Sequence, residues 1–214
     1  MKLHTYYRSS AAYRVRIALH LKRLDFESVP VHLARGGGEQ HSDAYRALNP
    51  NETVPTLQDG DLALAQSLAI IEYLDEMHPE PPLLPGSAGD RARIRSIAQT
   101  IACDIHPIDN LRVLQYLTRE LGVDEAQKSA WYCHWVERGL ATVERMLAGD
   151  PRTGAFCHGD APTLADCCLV PQVANARRFH CRIDDLPTVA RIVRRCEGLE
   201  AFRRAAPDRQ PDAE

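Results

Sequence analysis

The chain has 214 residues, enough for one large domain or two small ones with buried cores. Its composition is ordinary for a soluble globular protein, and a formal net charge of −3 argues against a general nucleic-acid binder. The opening MKLHTYYRSS lacks the apolar segment of a signal peptide, and no apolar run approaches a membrane span, so the expected location is cytoplasmic.

The first eighty residues alternate strand and helix signals. Lys2 to Tyr6 reads as a short strand, and residues 10 to 22 carry Val15, Ala18 and Leu19 at helical spacing. Ser9 and Ser10 stand just ahead of that helix, in RSSAAYRVRIAL. Serine is a preferred helix cap. The local residues leave two readings open: a cap, or hydroxyls that hold the reactive group of another molecule. No His, Asp or Lys within residues 8 to 19 could serve them as a base.

Phe26 to Leu33 alternates like a second strand. The glycine run in ARGGGEQHSD lacks a following GK[ST], so it reads as a mobile loop rather than a phosphate loop. Next, Asp59-Gly60 signals a hairpin between strands Thr56 to Gln58 and Leu62 to Ala65. Pro55 precedes a strand, which suits an edge or a turn. Ser67 is positioned to cap a helix that turns Ile70, Ile71 and Leu74 inward. The order strand, helix, strand, loop, strand, strand, helix predicts a small mixed sheet with helices packed on it.

PEPPLLPGSAG is a linker by composition, and beyond Asp90 the strand signals vanish. Helical patterns cover residues 90 to 120, 124 to 148 and 163 to 176, with shorter ones over 187 to 205. Thr163 and Asp166 form a T-x-x-D start signal for the third. The predicted organisation is an α/β domain (1–80), a linker (81–89) and an all-α domain (90–214) with a polar tail. Within DIHPIDNLR, Pro107 should kink the helix beside His106. On a helix, His106 and Asn110 would share a face, with Arg112 about 120° away from His106.

Of the 26 basic residues only Lys2, Lys22 and Lys128 are lysine, so a single arginine carries less information than usual. Arg191, Arg194, Arg195, Arg203 and Arg204 interleave with Glu197 and Glu200, which fits a solvated helix face. The seven cysteines show no CxxC pair and no zinc spacing. They read as reduced, mostly buried thiols, and no metal site is expected.

Five segments carry a family resemblance over essentially the full length: YRSSAAYRVRIAL, NPNETVPTL, AQSLAIIEYL, CDIHPIDNLRVLQYL and PTLADCCLVPQVANARRF, closing with FRRAAPDRQPD. The chain resembles the zeta class of glutathione transferases, the family of maleylacetoacetate and maleylpyruvate isomerases. The resemblance implies a thioredoxin-like domain followed by an all-helical one. It also implies a homodimer and glutathione as a cofactor that emerges unchanged. Ser9 would donate to the glutathione thiolate at a helix start, where free N–H groups favour an anion. Ser10 would be a second donor or merely the cap. Val54, beside a Pro55 expected to be cis, would meet the cysteinyl amide. Gln66 and Ser67 would take the γ-glutamyl carboxylate, and His106 and Asn110 would add glutathione contacts.

Arg8, Arg112 and Arg178 would anchor a small dicarboxylic enone, with Arg177 the alternative to Arg178. The implied activity is cis–trans isomerisation by conjugate addition, rotation and elimination, converting maleylacetoacetate to fumarylacetoacetate in aromatic amino-acid breakdown. Three alternatives remain: maleylpyruvate as substrate, conjugation of α-haloacids, and a non-catalytic thioredoxin-like binding module. Ala11 and Ala12 stand where the family often has Cys and a hydroxyl residue, a departure that bears on substrate preference more than on reaction type.

Overall fold

A computed structural model describes residues 1–214, which divide into two units, Met1–Leu83 with Glu197–Glu214, and Leu84–Cys196. The fold class is α/β followed by all-α. In the first unit, β1 (Lys2–Thr5), β2 (Glu27–Pro30), β3 (Thr56–Asp59) and β4 (Leu62–Ala65) form one sheet in the order β2-β1-β3-β4. The β1–β2 pair is parallel, and α1 (Ser10–Leu21) makes the crossover that a parallel pair requires. The β1–β3 and β3–β4 pairs are antiparallel, with Leu3 opposite Leu57 and Leu57 opposite Leu64. Leu3 and Leu57 are fully buried, which pins the register because a slip by one residue would turn them outward.

The loop around Gly36, Gly37 and Gly38 makes two short 3₁₀ turns. All three glycines have positive φ, a conformation that side chains oppose. It leads into α2 (Asp43–Leu48), a helix the hydrophobic pattern did not announce, capped by the Ser42 hydroxyl. The last helix of this stretch, α3 (Ser67–Met77), buries Ile70, Ile71 and Leu74 as its spacing predicts.

The C-terminal segment corrects the expected boundary of the helical domain. Residues 197–214 belong with the sheet, because α9 (Glu200–Ala205) packs on α1 and buried polar bonds secure it. Arg16, wholly buried, donates through Nε to the Ala205 carbonyl at 3.0 Å. Its other nitrogens reach Thr5 Oγ1 at 2.9 Å, the Tyr6 carbonyl at 3.3 Å and the Tyr7 carbonyl at 3.1 Å. Further along, the Tyr7 amide donates to Asp212 at 2.9 Å. Lys22 similarly donates to the His78 and Pro81 carbonyls and pairs with Asp75, tying the end of α1 to the chain beyond α3.

In the second unit the pattern over 90 to 120 is not one helix. It breaks into α4 (Ala88–Gln99), a π turn (Thr100–Ile105), a 3₁₀ turn (His106–Asp109) and α5 (Leu111–Arg119). The long α6 (Glu125–Ala148) passes so close to the π turn that a Cβ on Gly139 would lie 2.3 Å from Ile105 Cγ1. At the centre is α7 (Leu164–Arg178), buried on nearly every side. As T-x-x-D predicts, Asp166 accepts from the Thr163 amide and hydroxyl, each at 2.8 Å, and also from the Cys157 amide at 2.9 Å. The start of α8 (Pro187–Glu197) is held by Glu144 of α6, which accepts from the Thr188 and Val189 amides. No helix is long and apolar enough to cross a membrane.

Candidate functional site

The residue that caps α1 is Ser9, not Ser10. Ser9 is extended, φ −71° and ψ 116°, and its Oγ accepts from the Ala12 amide at 3.2 Å. A hydroxyl that accepts one bond keeps its own proton to donate, so capping and binding are compatible in one residue. Ser9 is half-buried, whereas Ser10 lies in the first helical turn with 4% exposure. Arg8 is exposed, its guanidinium 4.9 Å from the Tyr7 ring centre.

Ser67 is not a cap either. It is the first residue of α3 and is buried, while Gln66 holds the capping position without a side-chain cap bond. Gln66 has φ +71°, a strained value for a residue with a side chain, of the kind that clusters at ligand sites. The Ser67 hydroxyl instead accepts from Arg14 Nη1 at 3.2 Å, so Arg14, rising from α1, links the starts of two helices. Sequence reading missed that role. Its one signal was position: Arg14 lies four residues after Ser10, on the same helical face.

Val54–Pro55 is a cis peptide, as expected, and both residues are buried. The preceding Thr53 carbonyl accepts from Tyr45 Oη at 2.7 Å and from Asn49 Nδ2 at 2.8 Å. Asn49 Nδ2 also reaches Thr56 Oγ1 at 3.0 Å, and Asn49 Oδ1 accepts from the Asn51 amide. Tyr45 and Asn49, neither singled out from the sequence, thus shape the turn that presents Val54.

The other candidates belong to the helical unit. Pro107 does mark a break, but the helical-face argument for His106 and Asn110 fails. The chain changes winding twice, and Asn110 is extended, φ −69° and ψ 151°. Asn110 caps α5 by accepting from the Arg112 amide at 3.2 Å. His106 is half-buried and Arg112 exposed. Trp131 of α6 steadies the break by donating to the Ile108 carbonyl at 3.0 Å.

Asp109, inside the break, is 7% exposed, and neither carboxylate oxygen has a hydrogen-bond partner. Burial pushes its carboxyl up to about 7. Its neighbourhood includes Tyr132, whose hydroxyl is pushed up by burial first and by the Asp109 charge second, with Arg178 acting in the opposite sense. Tyr132 stacks on Phe179 at 3.7 Å, and the exposed Arg178 guanidinium lies 4.9 Å from the Phe179 ring centre. Arg178 thus lies against this aromatic cluster. No group of His, Cys, Asp and Glu has the arrangement of a metal site.

Residues 3–82 match the family model described as glutathione S-transferase, N-terminal domain, and residues 134–205 match glutathione S-transferase, C-terminal domain. A probable maleylacetoacetate isomerase of Vibrio cholerae is 52% identical over 211 residues, covering 99% of this chain and 97% of that protein. A bacterial maleyl pyruvate isomerase, solved in holo form and described as a zeta-class glutathione S-transferase, is 47% identical with a TM-score of 0.97, covering 100% of both chains. The maleylacetoacetate isomerase of Methylobacterium extorquens AM1, solved with malonate and GSH bound, is 41% identical with a TM-score of 0.96, again over 100% of both chains. The chain belongs to the glutathione transferase family. Its place in that family is the zeta class.

Proposed function

We propose that this protein is a glutathione-dependent cis–trans isomerase that converts maleylacetoacetate to fumarylacetoacetate in tyrosine and phenylalanine breakdown. The observation that carries the reading is Ser9. It stands at the start of α1 with its oxygen already engaged by the Ala12 amide and its proton left to give. Bound glutathione supplies the thiolate that adds to the cis enone and leaves once rotation has occurred. Ser9 stabilises that thiolate at a helix start, where a free thiol of pKa ~8.5 is shifted downward.

The strained Gln66 and the first-turn amide of Ser67 take the γ-glutamyl carboxylate. The Val54 backbone, fixed by Tyr45 and Asn49, meets the cysteinyl amide, and His106 and Asn110 add contacts. Arg8, Arg112 and Arg178 receive the substrate carboxylates as guanidinium forks. The protein acts in the cytoplasm as a homodimer.

A second reading, maleylpyruvate as substrate, draws support from the 47% identity to a maleyl pyruvate isomerase. Both substrates present an enone flanked by carboxylates. The test supplies each maleyl keto-acid with substoichiometric glutathione and follows product and thiol titre together. Many turnovers at constant thiol are expected. Stoichiometric thiol loss with an accumulating thioether would replace isomerisation by conjugation, and the ratio of the two kcat/KM values assigns the substrate.

A further inference from the structure

None of the seven cysteines is joined in a disulfide, and two of them face each other in the helical unit. Cys181, just beyond α7, directs its thiol at Cys133 Sγ of α6 across 3.1 Å. Cys133 in turn lies 3.5 Å from the Phe179 carbonyl. A disulfide holds its sulfurs at ~2.05 Å, so these two, at 3.1 Å, stand about 1 Å short of bonding. Their exposures differ. Cys181 is 8% exposed, while Cys133 is only partly buried. Four others, Cys157, Cys167, Cys168 and Cys196, are buried, and the exposed Cys103 is not paired in this way.

We propose that Cys133 and Cys181 are a modification site, a thiol pair that closes to an intramolecular disulfide by exchange with a small disulfide such as glutathione disulfide. The more accessible Cys133 thiolate attacks one sulfur of the small disulfide. That S–S bond breaks, a mixed disulfide forms on Cys133, and one glutathione thiolate leaves carrying the electron pair. The Cys181 thiolate then attacks Cys133 Sγ, breaking the mixed bond and expelling the second glutathione. Two protein thiols are oxidised and one glutathione disulfide is reduced to two thiols, which take up the two protons the cysteines release. Burial first, and then Cys133, Glu137 and Asp109, push the Cys181 thiol up, so the first attack falls to Cys133 and the second follows loss of the Cys181 proton.

The closed bridge would clamp α6 to the turn that carries Phe179, next to Arg178. An effect on turnover therefore rests on Arg178 acting as a substrate anchor, whereas the bridge itself does not. The experiment exposes the reduced full-length protein to glutathione disulfide, blocks remaining thiols under denaturing conditions, and maps peptides by mass spectrometry. Wild type should lose about 2 Da, present two fewer alkylated cysteines and yield a Cys133–Cys181 crosslinked peptide, all reversed by dithiothreitol. Cys181→Ser should stop at a glutathione adduct on Cys133, and Cys133→Ser should form neither product. Full alkylation of both cysteines at every oxidant ratio would overturn the proposal. So would a stable adduct on Cys133 in wild type, or a crosslink joining a different pair.

Discussion

In the α/β unit, Arg16 and Lys22 carry full charges inward, and each is met by two or more oxygens at hydrogen-bond distance. In the helical unit, Asp109 is also carried inward, yet both of its oxygens lack partners. The contrast follows from backbone geometry. Chain ends and strand-to-helix turns expose carbonyls that a guanidinium or ammonium can satisfy, and the first unit gathers several around α1. The break between α4 and α5 instead places a carboxylate near Tyr132 and Cys181 with no hydrogen-bond donor on either oxygen. A satisfied buried charge fixes a fold, while an orphaned one loads it with strain that depends on pH.

The largest effect should come from breaking the satisfied side of this contrast. Arg16→Met would leave the Ala205, Tyr6 and Tyr7 carbonyls without their donor, at a cost of about 3–5 kcal/mol in urea unfolding. Because Arg16 holds α9, limited proteolysis should also cut near residues 206 to 214 well before the rest of the chain. A variant that unfolds at the wild-type midpoint would show that the apolar α1–α9 contact suffices.

The orphaned side should respond in the opposite direction. Between pH ~4 and ~7 folded Asp109 keeps a proton that the unfolded chain has lost, so stability falls as pH rises through that window. The deficit above it approaches ~4 kcal/mol. Asp109→Asn removes the titration and should raise the melting temperature at pH 8 while changing it little at pH 4. An equal shift at both pH values would mean that the carboxyl is not the source.

The smallest change concerns a residue with two roles. Ser9→Ala should cost about 1 kcal/mol of stability through the lost cap. It should also raise the pKa of bound glutathione by about one unit, from the loss of a hydrogen bond to an anion. Ultraviolet titration of the thiolate beside thermal melts separates the two, with Ser10→Ala expected to move the thiolate less. A lower melting temperature with an unmoved thiolate would leave Ser9 a cap alone.

Much of this was legible in the residues. Lys2 to Tyr6 read as β1, alternation placed β2, Asp59-Gly60 placed the β3–β4 hairpin, and Thr163 with Asp166 placed the start of α7. The short α2 was not, since six residues after a glycine run give too little periodicity. The break at 100 to 110 stayed hidden because a π turn keeps nearly the composition of a helix, and Pro107 announced only a bend. The helical pattern over 187 to 205 announced α9 but not that it would meet α1. Ser67 was mistaken for a cap because nothing in Gln66 reveals a positive φ. Arg14, Arg16 and Asp109 were beyond reach for a common reason: periodicity assigns charge to the solvent side.

The Arg14–Ser67 bond has one further consequence. It spans the starts of α1 and α3, the two helix ends proposed to face the thiolate and carboxylate ends of one tripeptide. The strut acts as a gauge, setting the interval between them before any ligand arrives. The entropy of alignment then falls on the flexible tripeptide alone, and a peptide one methylene longer or shorter would meet a span that does not adjust to it.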